Sequence, residues 1–390
     1  IMPSSLFASG FRCAFLATGA IAVLLVPVWV LIWGYGWALP SAWPPAVWHA
    51  HEMLFGFVSA AVAGFLLTAV PSWTGQRGFA GTPLTVLMSL WLAARVLIAT
   101  SEYWPASLVG AVDVSFLVAL AALIAPRLWR ARNRNTALPV VLLALAACNG
   151  ASHWALSQRN ADAAYHWILV GIDITLLLVT VIGGRIVPAF TENALRGSGA
   201  SAPLRAWPWC TPAAIISMLT VALTDTFAPD TYLAAVVAAI AAVLQAARML
   251  QWRSHATLRK PILWVLHLGY AWLPIGLALK AVALTTQLAM TAFWLHALTI
   301  GVLATLIMAV MTRASLGHTG RPLTAHPATA LSYLLLLAAA LIRVFGLGVL
   351  RLPYPAIIAI SASLWTAAFM LFLLVYGPIL WSPRIDGKPG

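Results

Sequence analysis

Trp48-His49-Ala50-His51-Glu52-Met53-Leu54-Phe55-Gly56-Phe57 sets two histidines and a glutamate at the head of an apolar run that continues to Val70. A run of roughly 20 apolar residues is what a helix needs to cross a hydrocarbon core of about 30 Å. Ionisable groups inside such a run are costly unless they face a protein interior or a partner. Comparable apolar stretches recur near 11–33, 47–70, 83–99, 106–126, 137–156, 163–188, 208–224, 230–250, 262–284, 291–311, 328–346 and 355–379. The expected fold is therefore an all-α integral membrane protein of twelve transmembrane helices, a single transmembrane domain over 1–390. The first span is expected to be retained as a helix, because it is long for a signal peptide and no A-x-A cleavage pattern follows it.

Composition excludes the soluble alternatives. The 390 residues are 62% hydrophobic and 8% charged, with a mean hydropathy of +0.94, too few charges to cover a soluble domain of this size. The net charge of +13 would ordinarily raise nucleic acid as a partner. Here the basic residues sit in short gaps between apolar runs, where the positive-inside rule places them. Sixteen of the 22, among them Arg12, Arg77, Arg127, Arg205, Arg248, Arg313, Arg384 and Lys388, fall at the termini and in alternate loops. Both termini are accordingly expected on the cytoplasmic side of a bacterial inner membrane, with the lipid bilayer and no nucleic acid as partner. Cys13, Cys148 and Cys210 show no paired spacing, so neither a disulfide framework nor a thiolate metal site is expected.

The polar residues inside the spans carry the chemistry. His49, His51 and Glu52 open the second span, His153 closes the fifth, His166 opens the sixth and His296 lies early in the tenth. All five histidines fall toward the outer face. His51-x4-Gly56, His166-x4-Gly171 and His296-x4-Gly301 share one spacing, and they lie four helices apart. Thr74-Gly75 and Thr319-Gly320 follow the first and third histidines at the same distance, and the next spans carry Ala94-Arg95-Val96 and Ile342-Arg343-Val344. The spacing predicts three diverged four-helix units, 11–126, 137–250 and 262–379, in a pseudo-three-fold bundle.

Histidines from separate helices converging in one layer of an apolar bundle suit axial ligation of haem, and copper accepts the same ligands. Residues two apart on a helix are about 200° apart around its axis, so His49 and His51 face opposite sides and can serve two centres. His49 or His51 with His296 is the expected pair for one haem; the other histidine, with His166 and His153, forms a second centre. Arg95, Lys280 and Arg343 lie at the same level and are candidate partners of haem propionates. Glu52, Asp113 and Asp173 are the candidate catalytic carboxylates for proton delivery. Glu52 is equally a candidate to orient a histidine ligand, and Asp113 and Asp173 are equally candidates to pair with the buried cations. Most tryptophans read as an interfacial belt.

Trp48 to Phe57, continued by Gly64-Phe65-Leu66-Leu67-Thr68-Ala69-Val70-Pro71-Ser72-Trp73-Thr74-Gly75, resembles the NnrS family of bacterial membrane proteins across the whole chain. Gly183-Gly184-Arg185-Ile186-Val187-Pro188-Ala189-Phe190-Thr191, His296 to Gly301, and Gly317-His318-Thr319-Gly320 stand where that family has its other recognisable segments. The resemblance implies a twelve-helix inner-membrane protein containing haem and copper, associated with denitrification and resistance to nitric oxide. A weaker, topological similarity links the chain to the catalytic subunits of haem-copper oxidases and nitric oxide reductases. In those proteins the two-apart histidine pair is on helix ten and helix seven also carries a ligand. Here the pair is on helix two and 208–224 has no histidine, so one or two haems, of b type, fit better than a three-histidine copper site.

The leading expectation is an oxidoreductase of the nitric oxide reductase type, with nitric oxide as substrate and a quinol or a cytochrome as electron donor. A haem protein that binds or senses nitric oxide without turnover is the alternative, and a transporter built from repeats is a third.

Overall fold

The computed structural model describes residues 5–197, 207–286, 288, 291 and 293–387. Arg205 and Lys388, two of the basic residues that orient the chain, lie outside the described residues. Among the described residues there are helices, turns and no strand. Twelve helices are long and apolar enough to cross a membrane, and the chain is a multi-pass membrane protein. They are α1 Gly10–Tyr35, α2 Pro45–Thr74, α3 Thr82–Ala99, α4 Ala106–Arg130, α5 Leu138–Ser157, α6 Ala161–Arg196, α7 Cys210–Phe227, α8 Tyr232–Met249, α9 Pro261–Thr286, α10 Trp294–His318, α11 Pro327–Phe345 and α12 Tyr354–Trp381.

Local chemistry sets their ends. Proline stands in the first turn of α2, α3, α5 and α11, where its missing N–H costs nothing. The Thr-Gly dipeptides are helix stops: Gly75 and Gly320 take left-handed φ angles of 66° and 76°, conformations that glycine adopts without strain. Before them, Thr74 donates to the Val70 carbonyl at 2.8 Å and Thr319 to that of Ser315 at 2.6 Å. Two helices depart from α geometry, and both do so directly after a histidine of the repeated spacing. Glu52–Val58 in α2 and Ala297–Ala304 in α10 are π-helical, a widened turn found often at functional sites. His166 is followed by uninterrupted α-helix.

The chain divides into two compact units. The first comprises Ile1–Gly171, Met311–Leu323 and Phe369–Gly390; the second comprises Ile172–Val310 and Thr324–Ala368. This partition cuts α6, α10 and α12, and is not the division into the three four-helix stretches read from the spacing. Within the first unit α2 is the most enclosed span; in the second, α9 is also well covered.

Two arginines read from the sequence as loop charges are instead fully buried. Arg12 donates to the carbonyls of Leu380 at 3.0 Å and Ser382 at 2.6 Å, filling acceptors that the end of α12 leaves open. Arg248 lies inside α8, donating to the Thr180 carbonyl at 2.7 Å and to the Tyr270 hydroxyl at 3.2 Å. Gly184 makes that position possible, since a Cβ there would fall within the Arg248 guanidinium. Both arginines serve backbone carbonyls, which explains how they are tolerated in apolar surroundings.

Candidate functional site

The first unit brings His51, Glu52, Arg95, Asp113, Asn149 and His153 into one buried cluster. His51 and Glu52 come from the start of the π segment of α2, Arg95 from α3, Asp113 from α4, and Asn149 and His153 from α5. Asn149 and His153 are four apart and so share a helix face. His51 is fully enclosed. Its Nδ1 lies 3.2 Å from Glu52 Oε1, and its Nε2 lies 2.8 Å from Asn149 Oδ1 and 3.1 Å from Asp113 Oδ2. His153 Nε2 is 3.0 Å from the same Asp113 oxygen, to which Asn149 Nδ2 donates at 2.8 Å. Arg95 bridges the two acids, donating to Glu52 Oε1 through Nη1 and to Asp113 Oδ1 through Nη2.

The glycine of the repeated spacing has a packing reason. A Cβ on Gly56 would stand 3.2 Å from Arg95 Nη1 and 3.3 Å from Arg95 Cδ, so the glycine admits the arginine that joins the acids. Gly171 and Gly301 do likewise, making room for the side chains of Leu54 and Trp272. Gly110 leaves space for the His153 ring in the same way, a Cβ lying 3.2 Å from it. Trp43 closes the cluster edge-on, its ring 4.7 Å from that of His51 and 5.1 Å from that of His153.

The donor set suits a cation. Glu52 and Asp113 carry two negative charges against the one positive charge of Arg95, so one further positive charge, a proton on an imidazole or a metal ion, neutralises the buried group. His51, Asp113 and His153 offer three ligand atoms within 4.8 Å of one another. Around a tetrahedral ion with bonds of about 2.1 Å, donors stand about 3.4 Å apart. The present gaps to Asp113 are 3.0 and 3.1 Å, so an outward movement of a few tenths of an ångström would admit an ion. Two imidazoles and one carboxylate are ligands that iron, copper and zinc accept. Haem fits less well at His51, because both of its ring nitrogens face side chains and no part of the ring is exposed.

The other predicted histidines have surroundings of their own. His49 points to the opposite side of α2, its ring stacked 4.5 Å from Trp29, as spacing by two requires. His166 is partly buried beside Trp167. In the second unit, His296 lies partly buried at the start of α10, with the Phe293 ring 6.4 Å away. Arg343 stacks on that same Phe293, its guanidinium carbon 4.2 Å from the ring centre. It donates to the Tyr354 hydroxyl at 3.3 Å, while its Nη1 is buried with no partner among the described residues. A carboxylate such as a haem propionate would complete Arg343, and His296 is not enclosed as His51 is. Arg95 and Lys280 already hold acids of the chain, Lys280 pairing with Asp225. Asp173, like Asp225 and Lys280, belongs to the second unit. His267 is a satisfied structural residue, bonded to Thr191 and Ser254 at 2.8 Å each.

Asn149 and Asp225 were not anticipated as parts of these clusters. Asn149 carried a usable signal: an amide in an apolar run needs partners, and it precedes His153 by one helical turn. Asp225 sits in the last turn of α7, beyond the apolar stretch 208–224 read from the sequence.

A family model described as NnrS protein matches residues 5–384. No curated protein matches the chain.

Proposed function

The chain belongs to the NnrS family, which is linked to nitric oxide, and on that premise we propose that it reduces nitric oxide to nitrous oxide in a bacterial inner membrane, with both termini cytoplasmic. The observation that carries this reading is the convergence of His51 and His153 on one oxygen of Asp113, beside a second carboxylate, within a buried helical layer. In the reaction two nitric oxide molecules take up two electrons and two protons and become nitrous oxide and water.

His51, His153 and Asp113 would hold an iron or copper ion. His296 would ligate a haem of b type, and Arg343 would take one of its propionates. Bound metals supply the nitric oxide coordination and the electron transfer that protein side chains lack, with a quinol or cytochrome as source of the electrons. The chain's own groups do the rest. Glu52, 3.2 Å from His51 Nδ1, fixes the ring so that Nε2 faces the ion, the arrangement of a carboxylate behind a metal-bound histidine. Arg95 ties the two acids together, donating to one oxygen of each. The Trp43 edge and the surrounding apolar side chains keep bulk water from the site.

The test is a purified protein assayed for haem, iron and copper, then given nitric oxide and a reductant without oxygen. Bound metal and nitrous oxide production are expected. Metal without nitrous oxide would leave only a binder or sensor, the reading that the complete enclosure of His51 favours. Absence of both metals would end both readings.

A further inference from the structure

Three segments of the first unit meet at one end of its spans: the start of α1, the connection after α10 and the chain beyond α12. Arg12 reaches the carbonyls of Leu380 and Ser382. Two residues on, Arg384 donates to the His318 carbonyl at 2.7 Å, and the Ile385 N–H to that of Thr319 at 3.2 Å. Arg384 also grips Asp386 through Nε and Nη2, at 2.8 and 2.6 Å. Asp386 lies against Gly320, where a Cβ would stand 2.9 Å from its carboxyl carbon, and Arg321 is the next residue. The junction therefore gathers Arg12, Arg321 and Arg384, and the last two lie close enough to the first to repel its charge.

Negative charge is short here. Three guanidinium groups face the single carboxylate of Asp386, because the other acids of the first unit are elsewhere. Glu52 and Asp113 belong to the His51 cluster, and Glu102 and Asp162 lie beyond the far ends of α3 and α5. The donors are unequally used. Arg384 is engaged on all sides, whereas Arg321 Nη1 is buried with no partner among the described residues. A buried donor left unpaired is costly, and a phosphate oxygen is an acceptor that the guanidinium suits. Cations at span ends also orient a membrane protein, but that role needs only solvated charge and no nitrogen shut away from water. Trp381, one residue before Ser382, is exposed at the end of α12, the placing of an indole at the headgroup layer of a bilayer.

We propose that Arg321, in the field of Arg12 and Arg384, binds the phosphate of an anionic phospholipid headgroup at the membrane surface nearest the two termini. Arg321 supplies the hydrogen bonds. Arg12, fully buried, and Arg384, held by Asp386, supply the positive field that favours an anionic lipid over a zwitterionic one. The site is independent of the His51 cluster and of the reaction proposed for it.

The purified full-length protein, delipidated in a neutral detergent, is titrated with phosphatidylglycerol and with phosphatidylcholine of the same chains. Native mass spectrometry counts the bound lipid, and inorganic phosphate is added as a competitor. Phosphatidylglycerol should bind about fivefold or more tightly than phosphatidylcholine. Arg321→Gln should lower its affinity about tenfold, the worth of a hydrogen bond to a charged group. Arg130→Gln, which removes an exposed cation from the same end of the spans, should leave it nearly unchanged. Asp386→Asn removes the opposing carboxylate and should tighten binding, so it serves if Arg321→Gln fails to fold. Equal affinity for the two lipids, equal losses in Arg321→Gln and Arg130→Gln, or weaker binding in Asp386→Asn overturns the proposal. So does inorganic phosphate that binds as tightly as phosphatidylglycerol, which would make this a site for a free anion.

Discussion

His51 Nε2 and Asp113 Oδ2 stand 3.1 Å apart, brought together from α2 and α4 with the ring of His51 wholly enclosed. The same Asp113 oxygen receives His153 at 3.0 Å. Each of the three groups therefore depends on the other two, and the cluster responds to substitution as a unit.

Removing a ligand and removing its support should differ in degree. His153→Ala should leave the purified protein without the ion held beside Asp113. Glu52→Gln keeps the ligands and weakens only the group behind His51, so metal affinity should fall about 10- to 100-fold. Titration of the metal-free protein measures both. Equal affinities in wild type and Glu52→Gln would remove Glu52 from this role.

Arg95→Met would leave Glu52 and Asp113 facing one another without their shared cation. Breaking a buried ion group from one side costs about 3–5 kcal/mol. Thermal unfolding of the detergent-solubilised protein should show that loss. An unchanged midpoint would mean that the acids take up protons at no cost.

Gly184→Ala should destabilise by about 1–3 kcal/mol, the usual cost of overpacking, because the new methyl would fall on Arg248. Arg248→Met shortens the obstacle, so the double variant should lose less than the sum of the two single changes. Strict additivity in a double-mutant cycle would show that the two positions do not interact.

His296→Ala should remove one haem absorption component. Arg343→Leu should leave the spectrum in place while speeding haem loss to an acceptor protein, since it removes a propionate partner and no iron ligand. Unchanged haem content after His296→Ala would sink the ligand assignment.

The spans were legible because membrane thickness imposes a length and an apolar composition on every one of them, and each of the twelve appears within a few residues of its expected place except at α6 and α10, which run on to Arg196 and His318. The histidine-glycine spacing was also legible, yet its cause was not: Gly56 answers to the bulk of Arg95, a side chain on another helix. The pairing of charges was the least accessible. Arg12 and Arg248 look like loop cations in a linear reading because helix ends are uncertain by a turn, and only the folded chain shows which carbonyls they serve. Asp225 was hidden for the same reason, one turn inside a helix end. Asp113 was singled out correctly as a buried carboxylate, but the choice between ligand, counter-ion and proton carrier depends on neighbours from three other helices.

The π segment that begins at Glu52 gives the cluster unequal walls. A π turn closes its hydrogen bonds one residue later than an α turn, and it begins directly after His51. Asp113, Asn149 and His153 stand on unbroken α-helix. A guest in the centre would be met by three residues on regular helix and one that borders a widened turn.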